Sequence, residues 1–86
     1  MALVQISPVL ASVRWDRTAG RPREVSWGDG HHLRVVDLDA VRDERAAYPA
    51  DRGPRVTLVV RAADGGRASI AYDGRHWYLE AVERAA

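Results

Sequence analysis

Apolar and polar residues alternate with period two along much of this chain, and glycine turns interrupt the alternation. Val25, Leu33 and Val35 mark one set of alternating positions, Val56, Leu58 and Val60 a second, and Ile70, Trp77 and Leu79 a third. Between these runs lie Gly28-Asp29-Gly30, Asp64-Gly65-Gly66 and Asp73-Gly74. Alternating runs joined by short glycine turns are the signature of consecutive β-hairpins.

The turns set expected registers. Asp73-Gly74 reads as a two-residue type I′ turn that places Tyr72 opposite Arg75, Ile70 opposite Trp77 and Ala68 opposite Leu79 on one face. Ser69 and Ala71 then pair with Tyr78 and His76 on the other, which predicts a buried Trp77 and an exposed Tyr78. A three-residue loop at Asp64-Gly65-Gly66, with Gly66 left-handed, sets Ala62 opposite Ala68, Val60 opposite Ile70 and Leu58 opposite Tyr72. The Gly28-Asp29-Gly30 loop places Trp27 near His31, Val25 opposite Leu33 and Arg23 opposite Val35, with Trp27 closing one end of the core. Upstream, Val13 and Trp15 suggest a strand over 10–16, followed by a turn at Thr18-Ala19-Gly20-Arg21-Pro22.

Segment 37–53 breaks the period. Leu38, Val41, Arg45 and Tyr48 recur every three to four residues, as on one helix face, with Asp37 or Asp39 as cap and Pro49 as terminator. A long, partly ordered loop is the competing reading. The fold class expected is therefore mainly β with one short helical insertion: a single domain, 1–86, built as a small antiparallel SH3-like or roll-like, partly open barrel of five to six strands. A flat sheet covered by the helix is the alternative.

Composition narrows the function classes. At 86 residues the chain buries only roughly 60–65% of its unfolded surface, so three Trp in a domain without Phe are expected to supply core bulk. There is no Cys, which removes disulfides and thiolate metal sites and suits a reducing cytoplasm. The start, Met1 to Pro8, lacks a basic leader, and no run approaches a transmembrane span. The net charge is +1, and all 13 basic residues are Arg. That pattern fits a G+C-rich coding sequence or, alternatively, phosphate binding; the 12 interspersed acidic residues favour the former.

Candidate chemistry is sparse. His31 and His32 are adjacent on a strand and point to opposite faces, so no native metal site is expected with His76. The serines lack a nucleophile-elbow setting, and the glycines sit in hairpins rather than in a phosphate-cradling loop. Asp37 and Asp39 resemble a carboxylate pair only if extended. No catalytic residue, metal or cofactor is expected. Two binding surfaces remain. Trp27, with Tyr48 or Tyr72, is placed to line a groove at a barrel rim. The outward sheet face, carrying Arg61, Arg67, His76 and Tyr78, with Arg34 nearby, offers the parts of a nucleic-acid platform.

The stretch Gly20-Arg21-Pro22, then Val25, Trp27, Gly30, Leu33, Val35 and Val36, and the ending Ala71-Tyr72-Asp73-Gly74 with Trp77, Leu79 and Val82, resembles a family of small uncharacterised β-rich domains of high-G+C bacteria. The resemblance spans about residues 6–83. It implies a bacterial, cytoplasmic setting and, for some members, association with Y-family DNA polymerase proteins as neighbours or appended domains. The expected function is a non-enzymatic binding or accessory module. Its partner is a protein or a second copy, engaged through a barrel rim or a strand edge. Nucleic acid through Arg34, Arg61, Arg67, His76 and Tyr78 is the alternative; neither membrane nor metal is expected.

Overall fold

A computed structural model describes residues 3–43 and 56–83. Six antiparallel strands run in chain order: β1 (Val4–Asp16), β2 (Arg21–Trp27), β3 (His31–Asp43), β4 (Val56–Ala62), β5 (Arg67–Tyr72) and β6 (Trp77–Glu83). Each pairs with its neighbour in sequence, and β6 returns to β1, so the sheet is a closed barrel. The expected partly open barrel with a helical insertion is thus corrected. Among the described residues there is no helix.

Closure depends on a longer first strand than the sequence suggests. β1 extends over 13 residues rather than 10–16. Its N-terminal half pairs with β6, Val4 opposite Val82 and Val9 opposite Leu79. Pro8, which lacks an N–H, falls where this ladder is interrupted between Gln5 and Val9. Pro22 likewise belongs to β2, not to a turn, and is buried beside the Arg14/Trp15 bulge. The turn before it, residues 17–20, is held by the Asp16 carboxylate, which accepts the N–H groups of Thr18 and Ala19.

The helix reading fails for a specific reason. Residues 37–43 are strand, and β3 carries irregularities between Val35 and Asp37 and between Leu38 and Ala40. Each adds one residue, which turns a period of two into a period of three. Val35, Leu38 and Val41 therefore recur like a helix face while lying opposite Ala62, Val60 and Leu58 of β4. Asp37 is no helix cap: its carboxylate accepts the adjacent Leu38 N–H. Arg45, Tyr48 and Pro49 lie outside the described residues.

Two hairpins depart from their expected registers, each by two positions, which keeps paired side chains on their expected faces as far as Leu79. A bulge then adds Glu80 to β6, so that Val82 faces Ala68 inside and Ala81 faces Ser69 outside. In the β4–β5 hairpin the loop is Ala63-Asp64-Gly65, and Gly65 rather than Gly66 takes the left-handed conformation, at φ 92°. Val60 thus faces Ala68, and Leu58 faces Ile70. In the β5–β6 hairpin, Asp73 does not adopt the positive φ of a type I′ turn. Its carboxylate instead accepts the N–H groups of Arg75 and His76, both at 2.8 Å, which widens the loop to residues 73–76. Tyr72 then faces Trp77, and Ile70 faces Leu79. In the β2–β3 hairpin Val25 lies opposite Leu33 and Trp27 opposite His31 as expected, but the ladder ends at Glu24 opposite Arg34, short of the expected Arg23–Val35 pair.

The interior is narrow. Its fully buried large side chains are Ile70, Leu79, Val25, Val60 and Pro22, and no Trp is among them. Six strands leave less room than the eight that just admit filling side chains, so the indoles are displaced to the barrel ends. Trp15 is 47% exposed at one end and stacks on Trp77, which tilts against Tyr72 with ring centroids 4.9 Å apart. The β2–β3 ladder is the shortest, Glu24–Trp27 against His31–Arg34. Beyond it β3 pairs with β4 alone, and Arg21 and Asp37 span the seam at 3.6 Å.

Leu79→Ala is expected to destabilise the barrel by about 2–5 kcal/mol, through lost burial plus a cavity that so thin a core cannot collapse. Val36→Ala, at an exposed position, is expected to stay within about 0.5 kcal/mol. Urea denaturation of both variants checks the contrast.

Candidate functional site

At the barrel end opposite Trp15, β2 and β3 meet in the Gly28-Asp29-Gly30 turn, and β4 and β5 meet in the Ala63-Asp64-Gly65 turn. A pocket of about 410 Å³ opens between them. Its apolar lining comes from Ile6, Leu33, Leu79 and Val82. These residues lie on inward-facing positions of β1, β3 and β6, so the pocket is the mouth of the barrel itself. Trp27 and His31, cross-strand partners beside the turn, stack with centroids 5.8 Å apart and planes at 11°. They form one wall, with His32, Arg34 and Asp64 around the rim. Asp64 is committed to its own loop, since its carboxylate accepts the Gly66 N–H at 2.8 Å. Gly28 and Gly30 carry φ of 58° and 85°, so the turn that sets the pocket wall needs glycine at both positions.

The three residues expected to share a groove do not converge. Trp27 lines the mouth, Tyr72 lies at the opposite end of the barrel against Trp77, and Tyr48 is outside the described residues. Neighbouring strands run in opposite directions around the ring, so the end of β2 at Trp27 and the end of β5 at Tyr72 lie at opposite barrel ends. Trp27 is the member that lines a pocket.

The outward face of β4–β6 also differs from a nucleic-acid platform in its electrostatics. Arg61 bonds Asp39 at 3.1 Å, and Arg67 bonds Glu83 at 2.6 Å. Arg61 and Arg67 are direct cross-strand partners, so the four groups form an acid–Arg–Arg–acid row across β3 to β6. The Glu83 hydrogen bond and charge raise the Arg67 pKa above its usual value, and Arg67 in turn lowers the Glu83 carboxyl. Tyr78 lies opposite Ala71, with its ring edge-on to His76. That pair is roughly 13 Å from the Arg67 row along the strand. Buried Ser69, Ala71 and Ala81 occupy the interval. Both Trp77 and Tyr78 are half-buried, so the expected contrast between them is weaker than the alternation suggested. Arg34, on β3 opposite Glu24, is not part of this row but lines the same mouth as Arg67 and Glu83.

No group of three or more His, Cys, Asp or Glu side chains among the described residues is arranged to hold a metal ion. No helix among them is long and apolar enough to cross a membrane. No family model, curated protein or solved structure matches the chain.

A mouth pocket with an apolar floor and an aromatic wall was only partly legible in the sequence. Trp27 beside a glycine turn marked one wall. Ile6 and Val82 carry no such signal, because no alternation or turn in the sequence marks the β1–β6 pairing that brings them to the mouth.

Two measurements test this electrostatic layout. Arg67→Ala is expected to lower the urea midpoint more than Arg34→Ala, because it strands the half-buried Glu83 carboxylate. The second concerns acid. The Arg67 hydrogen bond lowers the Glu83 carboxyl, and the His76 and Arg75 N–H groups lower that of Asp73. Lowered carboxyls contribute stability that is complete above their ordinary range, near about pH 4, and is lost as pH falls through the lowered values. The double variant Asp73→Ala/Glu83→Gln is expected to show a flatter decline in urea midpoint between about pH 5 and 2 than the unsubstituted chain.

Proposed function

We propose that this chain is a non-enzymatic binding module that takes a segment of a partner protein at the Trp27 mouth. The observation that carries the reading is the pocket itself: an apolar floor at an open barrel end, with a stacked aromatic pair beside it. Such a site gives an apolar side chain a place to leave water, and a planar wall to contact at small entropic cost. Its volume, about 410 Å³, accommodates one or two side chains rather than a folded domain.

Closure of the barrel leaves little sheet edge, which favours the rim over strand addition. The nucleic-acid reading through Arg61 and Arg67 is disfavoured because both guanidinium charges are balanced by Asp39 and Glu83. A bacterial, cytoplasmic accessory role remains part of the proposal on the strength of the sequence resemblance.

Selection of a random peptide display library on the full chain, followed by amide chemical-shift mapping of a selected peptide, tests the proposal. Shifts are expected around Ile6, Trp27, Leu33 and Val82, and binding should be lost in Trp27→Ala or His31→Ala. Failure to select any peptide, or shifts centred on Tyr72 and Trp77 instead, would contradict it.

A further inference from the structure

The mouth is not the only depression beside Trp27. A second, more open one of about 600 Å³ lies on the outer face of β1–β3, and Trp27, His31 and His32 line both. The two adjoin at the glycine turn; Ser12, Glu24 and Ser26 line the outer one, Arg34 lines the mouth, and Arg14 borders the outer face from β1. We infer that the outer face of β1–β3 holds an acidic side chain of the same peptide segment whose apolar residue fills the mouth; the inference rests on the peptide-binding reading above.

The register builds this face. Val13, Val25 and Leu33 point inward, so their neighbours point outward. Pairing aligns those neighbours in two rows, Arg14–Glu24–Arg34 and Ser12–Ser26–His32. Arg14 and Arg34 stand roughly 10 Å apart, two strand spacings, on either side of the centre. Both are exposed, and neither forms an ion pair or side-chain hydrogen bond among the described residues. That distinguishes them from Arg61 and Arg67, whose charges are spent. The adjoining row is low because serines are small, and its hydroxyls and imidazole are hydrogen-bond donors.

The chemistry of this face selects its ligand. The Arg–Glu–Arg row sums to one positive charge, and both guanidinium groups can reach a carboxylate lying over the serine row. Glu24 sets the limit: one compact anion is tolerated, whereas a phosphodiester chain would bring further negative charge against its carboxylate. An acidic peptide side chain therefore fits better than a single-stranded nucleic acid.

The peptides selected on the full chain provide the test. They are expected to share an aromatic or branched aliphatic residue with an Asp or Glu a few positions away. Replacing that acid by its amide should weaken binding about tenfold. Arg14 does not line the mouth, so Arg14→Gln should still bind through the apolar residue but discriminate acid from amide far less well. Selected peptides without an acid preference, bound equally by that variant, would overturn this inference and leave the mouth reading intact. If no peptide is selected, or if the selected peptides bind Trp27→Ala and His31→Ala unchanged, both fall. Steeply salt-dependent binding of an oligothymidylate single strand that requires Arg14 and Arg34 would assign the face to phosphates and overturn the inference in favour of nucleic acid.

Discussion

Everything in this barrel depends on β1 closing against β6. With Val9 opposite Leu79 and Ala11 opposite Trp77, the sheet has no room for a wide interior. The space inside is filled by Val25, Val60, Ile70 and Leu79, with Ala68 fully buried among them. None of the three indoles is fully buried, and Trp27 and Trp77 pack against this core only in part. Trp15 and Trp77 stack at one end and Trp27 stands at the other, so closure converts a packing restriction into two aromatic barrel ends. The ends are unlike. One is occupied by the Trp15–Trp77–Tyr72 cluster, and the other is open over an apolar floor.

Among the described residues the arginines divide by partner rather than by number. On the β4–β6 face, charge is cancelled within the sheet by a row running from Asp39 to Glu83. On the β1–β3 face, Arg14 and Arg34 flank a single Glu24 and form no ion pair among the described residues. Net charge alone describes neither face. The cross-strand register decides which guanidinium meets a carboxylate, and hence where a ligand's charge would count. Carboxylates also shape the turns, since Asp16, Asp64 and Asp73 each accept backbone N–H groups of their own loops.

Strand identity and facing were legible in the sequence because alternation reports parity. Leu58, Val60, Ile70 and Leu79 are inward as their spacing implies, even where the register moved by two. Loop lengths were less legible. The Asp73 carboxylate competes with a tight turn, and the choice depends on hydrogen bonds that a glycine count does not reveal. The irregularities in β3 misled most, because two added residues make Val35, Leu38 and Val41 look helical. Pro8 concealed the first half of β1, and with it the closure and the floor of the mouth. The Trp27 wall was visible in advance; the separation of Trp27 from Tyr72 was not, since it follows from the direction of each strand in a closed ring.

Closure is most directly tested by interstrand nuclear Overhauser effects between β1 and β6 in the isotope-labelled chain. A closed barrel predicts backbone cross-peaks linking Val9 with Leu79 and Ala11 with Trp77, together with slow amide exchange across the N-terminal half of β1. Absence of those cross-peaks, with rapid exchange before Leu10, would show an open sheet and remove the mouth on which the functional reading stands.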